Sequence, residues 1–437
     1  MNLFAIIKNS IVVIFLSCYF FAGKAFAVEG FDAWLADFKN EALAAGISYD
    51  TVDNVLSKVV FEESIIAKDR KQPEFIRTFK NYMDIALAKD RVEQGKTIMK
   101  KYRTLLNNVY KLYGIPPQYI VAFWGMETFY GKNLGDISIF NALATLAYDP
   151  RRSDFFKKEL IYALKIVDSG FMKAEQMKGS WAGAFGNFQF MPSTYLNYAV
   201  DADNDGKKDI INSLPDAFYS AGNYLSSIGW NKKQAWGRQV KLPKNFDYFL
   251  TGNKIRKKIN DWGNLGIKNI NNSKLPTSDI ETWLLVPAGY QGPVFFVYEN
   301  FDIIMQWNRS FNYALAIGLL ADNLSGRKSM LNQALKEKPI SVQIIIAIQD
   351  KLKELGLYDG SVDGNLGSIT KSAIQNFQKN FKLPADGYPS DKVIKLLTVD
   401  SLAQNDIKKI PIPPVKPKIE NTRSIPLPQK KPQYIEE

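Results

Sequence analysis

The stretch Ile120-Val121-Ala122-Phe123-Trp124-Gly125-Met126-Glu127-Thr128-Phe129-Tyr130-Gly131 decides the reading of this chain. From Leu112 to Gly131 the one charged side chain is Glu127. Gly114-Ile115-Pro116-Pro117 ends one helix and starts the next, which carries Glu127 near its C-terminal end before Gly131. Desolvation disfavours the ionised carboxyl, so Glu127 is expected to titrate above the reference of about 4.3. An acid still protonated near neutrality is what general acid catalysis needs. A surface glutamate with apolar neighbours fits the same residues, and this segment alone leaves both open.

Helical periodicity extends on both sides, from about residue 29 to 235. Thr97 to Tyr113 reads as one helix, with Leu105, Leu106, Val109, Leu112 and Tyr113 on one face, and Asp154 to Ser169 as another. Residues 240 to 300 are irregular apart from Val294-Phe295-Phe296-Val297-Tyr298, a short strand, and Tyr313 to Leu324 is helical again. The fold class is mainly α with minor β. A composition shift at 328–339 marks a linker, 340–399 a compact second unit, and 400–437 a Pro- and Lys-rich tail expected to be extended. The tail reads as a plain terminus or as a recognition segment.

The 437 residues contain no histidine and one cysteine, Cys18. Ser-His-Asp and Cys-His nucleophiles, histidine bases, His-rich zinc sites and internal disulfides are thereby excluded. Carboxylate, Lys, Tyr or Ser chemistry remains. Lys8, the apolar run Ile11 to Ala22 and Ala25-Phe26-Ala27 form a signal peptide, residues 1–27, cleaved after Ala27. The weaker alternative is lipid anchoring at Cys18. No later segment is long and apolar enough to span a bilayer. Losing Lys8 and Lys24 takes the net charge from +12 to +10, which suits an anionic wall polymer or membrane surface. Export makes nucleic acid the least fitting partner, and the chain is expected to be a periplasmic monomer.

A second block runs Gly179-Ser180-Trp181-Ala182-Gly183-Ala184-Phe185-Gly186-Asn187-Phe188-Gln189-Phe190-Met191-Pro192-Ser193-Thr194. Small residues between aromatics suit a turn whose backbone approaches something closely, with Ser180 and Gln189 able to face a ligand. A glycine-rich packing turn is the plainer reading. Further motifs are Pro73-Glu74-Phe75 with Tyr82, Ala142 to Asp149, Asn223-Tyr224-Leu225, Pro287-Ala288-Gly289 and Trp307-Asn308-Arg309-Ser310 with Tyr313.

Together these motifs resemble the lytic murein transglycosylases of the membrane-bound lytic transglycosylase B type. The resemblance implies a lysozyme-like domain over 28–327, with Glu127 as sole acid/base. It also implies substrate contacts at Tyr82, Arg152, Ser180, Gln189, Tyr224, Asn308 and Tyr313. Ordinary glycosidases use two carboxylates, and only Glu127 stands in a convincing apolar setting. A lytic transglycosylase needs one: it cleaves the bond between N-acetylmuramic acid (MurNAc) and N-acetylglucosamine (GlcNAc) in peptidoglycan strands. The C6 hydroxyl of MurNAc then closes a 1,6-anhydro ring. Tyr82, Tyr130 and Tyr224 are expected to line the sugar groove. A hydrolytic muramidase and an idle wall-binding scaffold are the competing readings.

Asp201-Ala202-Asp203-Asn204-Asp205-Gly206 matches the first half of an EF-hand loop, but Asn212 stands where the usual Glu would. The resemblance implies that Asp216 and the Lys207 carbonyl complete a structural calcium (or sodium) site; an Asx-rich surface turn is the alternative. The chemistry itself requires no cofactor. Ile348 to Gly360, Asp363-Gly364 and Leu383 to Gly387 resemble the small three-helix peptidoglycan-binding domain, which implies wall tethering; a structural bundle fits as well.

Overall fold

The computed structural model describes residues 30–71, 77–327, 335 and 337–398. The expected signal segment with Cys18, the Pro73-Glu74-Phe75 motif, most of the linker and the tail lie outside the described residues. The fold is mainly α, as expected. The helices are α1 (30–44), α2 (Tyr49–Leu56), α3 (Glu63–Lys71), α4 (Phe79–Ala86), α5 (Lys89–Lys101), α6 (Arg103–Tyr113) and α7 (Pro117–Thr128). They continue with α8 (Ile139–Tyr148), α9 (Ser153–Asp168), α10 (Pro192–Tyr198), α11 (Leu214–Ser227), α12 (Ile259–Asn264), α13 (Glu299–Trp307) and α14 (Phe311–Leu324). Among the described residues no helix is long and apolar enough to cross a membrane.

The quoted stretch is α7. Pro117 in its first turn has no amide to leave unpaired. Tyr119 to Gly125 are buried without interruption. A helix apolar on every side belongs in the middle of a domain, and α5, α6, α11 and α14 pack around it. The expected single helix over 97–113 is instead broken at Tyr102 (φ −104°, ψ 27°) between α5 and α6. The Tyr102 ring sits edge-on against Trp124 at 6.3 Å and Phe218 at 6.0 Å. Aromatic packing overrides the helical periodicity there.

The region read as irregular holds a five-stranded antiparallel sheet. Its strands are β3 (Gly237–Lys241), β4 (Lys257–Lys258), β5 (Lys268–Asn269), β6 (Glu281–Leu285) and β7 (Val294–Val297), in the order β4-β6-β7-β3-β5. Phe295 and Val297 face the main core, whereas Phe296 with Leu284 and Trp262 forms a second core on the other side. Burial on both faces explains why β7 is an unbroken apolar run rather than an alternating one. A separate pair joins β1 (Ile137–Ser138) to β2 (Lys178–Gly179).

The C-terminal unit is built of α15 (Val342–Glu354), α16 (Ser368–Asn380) and α17 (Asp391–Thr398) around its own core of Ile348, Leu352, Ile374, Phe377 and Val393. One device occurs twice in it. Buried Gln349 accepts through Oε1 from the amides of Asp363 and Gly364 and donates to Asp363 Oδ1 at 2.9 Å. Buried Gln378 accepts from the amide of Gly387 and donates to Asp386 Oδ1 at 2.7 Å. The unit packs on the first one: Asp386 Oδ2 accepts from the Tyr290 amide at 2.7 Å, and Lys379 lies over the Phe249 ring. Gln349→Leu strands the buried Gly364 amide and the partly buried Asp363 amide, at about 1–3 kcal/mol for the buried one. Scanning calorimetry should show the C-terminal transition moving down by several degrees while that of the larger unit stays.

Candidate active site

Glu127 occupies the last turn of α7, and three successive left-handed residues follow: Phe129 (φ 50°), Tyr130 (φ 64°) and Gly131 (φ 81°). For the two non-glycine residues this costs roughly 1–2 kcal/mol each. Tyr130 is held by burial and by donation from its hydroxyl to the Arg91 carbonyl at 2.8 Å. At 6% exposure it is a packing residue and no wall of a sugar groove, which corrects that expectation.

Two donors converge on one oxygen of Glu127. Trp307 Nε1 donates to Oε1 at 2.9 Å, and the Tyr313 hydroxyl donates to the same atom. They arrive from the two ends of a tight connection, Trp307 closing α13 and Tyr313 sitting in the first turn of α14. Ser310 caps α14 by accepting from the Tyr313 amide at 3.3 Å, and Asn308 Oδ1 accepts from the Ser310 amide at 3.2 Å. Asn308 thus shapes the turn that delivers both donors. The Trp307 ring is wedged by Phe123 (4.5 Å), Tyr224 (5.0 Å) and Phe190 (5.6 Å between centroids). Tyr224 also packs on Tyr198 at 4.7 Å. Burial pushes its hydroxyl up to about 12, so it is a neutral donor throughout the working range.

Trp307 was not singled out from the sequence as a site residue; the signal was its place in the Trp-Asn-Arg-Ser motif. Asn187 was also missed. It is 3% exposed, accepts from Trp124 Nε1 at 2.9 Å, and donates to the carbonyls of Ile210 (3.1 Å) and Ile211 (2.8 Å). Its own carbonyl accepts from Thr128 Oγ1 at 2.9 Å, which ties the second block to the end of α7. The close approach expected of that block is to the protein itself. A Cβ on Gly179 would lie 2.0 Å from the Ala184 carbonyl oxygen. Within the block, Ser180 Oγ accepts from the Ala184 amide at 3.2 Å. Gln189, left-handed at φ 47°, donates to the carbonyls of Leu134 and Gly186 at 3.0 Å each.

The remaining expected contacts are placed differently. Tyr82, on α4, is buried in the main core at 8% exposure. Arg152 pairs with Asp69 at 2.5 Å and lies over the Phe156 ring. Glu127 is not the single carboxyl in apolar surroundings. Asp69, Glu159 and Asp216 are all more buried, and their sequence neighbours are polar enough to have hidden this. Each of them serves the structure. Asp69 holds Arg151 and Arg152, and Glu159 accepts from the amide and hydroxyl of Ser193 at 3.0 and 2.7 Å. Burial pushes the Glu159 carboxyl up, against the pull of those two bonds.

In the acidic loop, carboxylate oxygens of Asp201, Asp203 and Asp205 lie within 4.8 Å of one another, and Gly206 makes the sharp turn at φ 84°. Asp216 is fully buried beside them, its two oxygens accepting from the amides of Ala202 (2.8 Å) and Asp209 (2.7 Å).

Helices close around one glutamate held by two aromatic donors, an arrangement suited to carboxyl acid–base chemistry. Residues 30–322 match the transglycosylase SLT domain family and residues 341–397 the peptidoglycan binding domain family. The chain belongs to the transglycosylase SLT family. It is 33% identical over 240 residues to membrane-bound lytic murein transglycosylase B of Escherichia coli (strain K12), spanning 52% of this chain and 62% of that protein, which is less than two thirds of the relative's length. SltB3 from Pseudomonas aeruginosa, solved in complex with NAG-NAM-pentapeptide and with NAG-anhNAM-pentapeptide, is 41% identical with a TM-score of 0.81, covering 84% of this chain and 99% of that one. The Escherichia coli lytic transglycosylase Slt35 in complex with calcium is 27% identical with a TM-score of 0.57, covering 67% and 93%.

Trp307→Phe removes the indole N–H while keeping an aromatic ring in the wedge. Loss of one hydrogen bond to a charged group is worth about 1.5–3 kcal/mol. We expect kcat on wall fragments to fall about tenfold or more with KM little changed; steady-state kinetics and near-UV circular dichroism separate this from unfolding.

Proposed function

We propose that this protein is an exported lytic transglycosylase. In this reading it cleaves the β-1,4 bond between MurNAc and GlcNAc in peptidoglycan and leaves 1,6-anhydro-MurNAc ends. The observation that carries the reading is the pair of donors on Glu127 Oε1. A carboxylic acid that accepts two hydrogen bonds at one oxygen bears its proton on the other, Oε2. That proton passes to the glycosidic oxygen, which leaves with the bonding electron pair on the GlcNAc side. Positive charge at C1 is shared by the substrate's own 2-acetamido group. Glu127, now a carboxylate steadied by Trp307 and Tyr313, takes the proton of the C6 hydroxyl as O6 bonds to C1. No water enters. The C6 hydroxyl is tethered to the reacting ring, so its effective concentration can exceed that of any free nucleophile. The SltB3 complexes with NAG-NAM-pentapeptide and NAG-anhNAM-pentapeptide support the same substrate and product classes here.

Ser180, Gln189, Tyr224, Asn308 and Arg152 contact the glycan in this reading, whereas Tyr82 is buried in the core. The signal segment delivers the protein to the periplasm, the C-terminal unit tethers it to the wall, and it acts as a monomer. Glu127→Gln keeps the shape of the side chain but cannot transfer a proton. It should abolish lysis of sacculi while leaving folding and wall binding intact. Mass spectrometry of the wild-type digest should show muropeptides one water lighter than hydrolysis products and resistant to borohydride. Reducing ends would instead identify a muramidase, and more than a few per cent activity in the variant would remove Glu127 from its role.

The acidic loop supplies hard oxygen donors in a tight turn, the set that calcium prefers. In this reading Asp201, Asp203, Asp205, the Lys207 carbonyl and Asp216 hold a structural calcium or sodium ion, and the Slt35 complex with calcium supports it. A ligand bound only to the folded state raises the thermal midpoint by mass action. Calcium added after chelation should therefore raise the midpoint of the wild type, and the Asp203→Ala, Asp205→Ala double variant should show no response.

A further inference from the structure

The chain that joins the two units is held by the first before it reaches the second. Leu335 is 8% exposed and packs in the main core. Two residues on, the carboxylate of Glu337 spans the junction. Its Oε2 accepts from the Lys80 amide at 2.7 Å, and its Oε1 accepts from the Tyr388 hydroxyl at 2.9 Å. The Lys80 amide lies in the first turn of α4, among the N–H groups that a helix leaves unpaired. The positive end of the helix dipole favours a carboxylate there. Tyr388 belongs to the C-terminal unit, where its amide donates to Asp386 Oδ1 in the second glutamine-held turn. Burial, and after it the Glu337 charge, pushes the Tyr388 hydroxyl up, so it stays a donor throughout the working range.

Only residues 338–341 separate Glu337 from the start of α15 at Val342. Four residues span at most about 14 Å, and Lys338 among them pairs with Asp391 of α17 at 2.8 Å. Asp386, two residues before Tyr388, accepts from the Tyr290 amide, so a second carboxylate clasps the same junction. Gly289 permits that approach: a Cβ there would lie 2.9 Å from Asp386 Oδ2. A flexible linker would show none of these attachments.

We propose that Glu337 is a latch that makes the C-terminal unit a fixed guide, which presents a bound wall strand to the Glu127 site in one orientation. The proposal rests on the wall-binding and transglycosylase readings above. A free tether raises the local concentration of wall and leaves its orientation open. A docked unit restricts both, which matters for a strand held in a network and not for a short soluble glycan. Glu337 is a positioning residue in this scheme, acting through Tyr388 and α4.

The test uses the full chain with Cys18→Ser and one spin label on each unit, at Ser226→Cys and Ser372→Cys, both exposed positions. Double electron–electron resonance should give one narrow distance distribution, which Glu337→Ala and Tyr388→Phe each broaden. In both variants cleavage of intact sacculi should fall about tenfold, the order of one charge-assisted hydrogen bond. Cleavage of short soluble glycans and pelleting with sacculi should not change. Glu337→Gln keeps an acceptor for the Lys80 amide and should recover part of the loss. A distribution already broad without the substitutions, or still narrow with them, would overturn the latch. Sacculus cleavage unchanged despite broadening would overturn the guide. An equal loss on soluble glycans and sacculi would reduce Glu337 to a structural residue of α4 and overturn the proposal as well. Absence of anhydro ends from the wild-type digest would remove the transglycosylase reading, while the distance measurement still decides the latch.

Discussion

Asn187 joins three parts of the catalytic unit. Its carbonyl oxygen receives the Trp124 indole of α7, its amide nitrogen serves the carbonyls of Ile210 and Ile211, and its backbone carbonyl receives Thr128. One buried amide thereby couples the helix that carries Glu127, the glycine-rich block and the segment leaving the acidic loop. Buried polar groups are costly unless satisfied and directional once they are. The Asn187 bonds add directional constraints to the apolar packing around α7. The acidic loop sits far along the chain from Glu127, and Asp216 staples its two ends so that Ile210 and Ile211 stay where Asn187 needs them.

From that anchored helix end, the aromatic wedge does the rest. Trp307 is fixed by rings from α7, the glycine-rich block and α11, and it directs its single polar atom at Glu127. The indole N–H can only donate, so it supports the carboxylate form and accepts nothing when the group is protonated. Tyr313 joins it because Ser310 caps α14 in the same turn. The acid is thus held by donors whose own positions come from packing, which is the arrangement that preorganised catalysis requires.

The C-terminal unit repeats one solution, a buried glutamine reaching into an Asp-Gly turn, at Gln349 and at Gln378. Its second copy also supplies the contact to the larger unit, since Asp386 serves both Gln378 and the Tyr290 amide. Burial pushes the Asp386 carboxyl up, while its amide partners pull it down. Wall tethering and catalysis are proposed as separate roles, yet the two units touch through groups that neither core would need alone.

Much was readable before any coordinates. The mainly helical character of the chain follows from residue types and local spacing, because burial and periodicity leave direct marks on sequence, whereas the role assigned to Glu127 came from the resemblance. The strand Val294–Tyr298 was visible for the same reason. Its partners were not: β4 and β5 are two polar residues each, and pairing across long separations leaves no local pattern. The break at Tyr102, the burial of Tyr82 and Tyr130, and the buried carboxylates Asp69, Glu159 and Asp216 likewise depend on what packs from elsewhere in the chain. Sequence determined which groups are available for the chemistry. Tertiary structure decided that a tryptophan and a tyrosine from a turn about 180 residues away would hold the acid, because a hydrogen bond is set by distance and angle and these exist only after α7, α13 and α14 have packed.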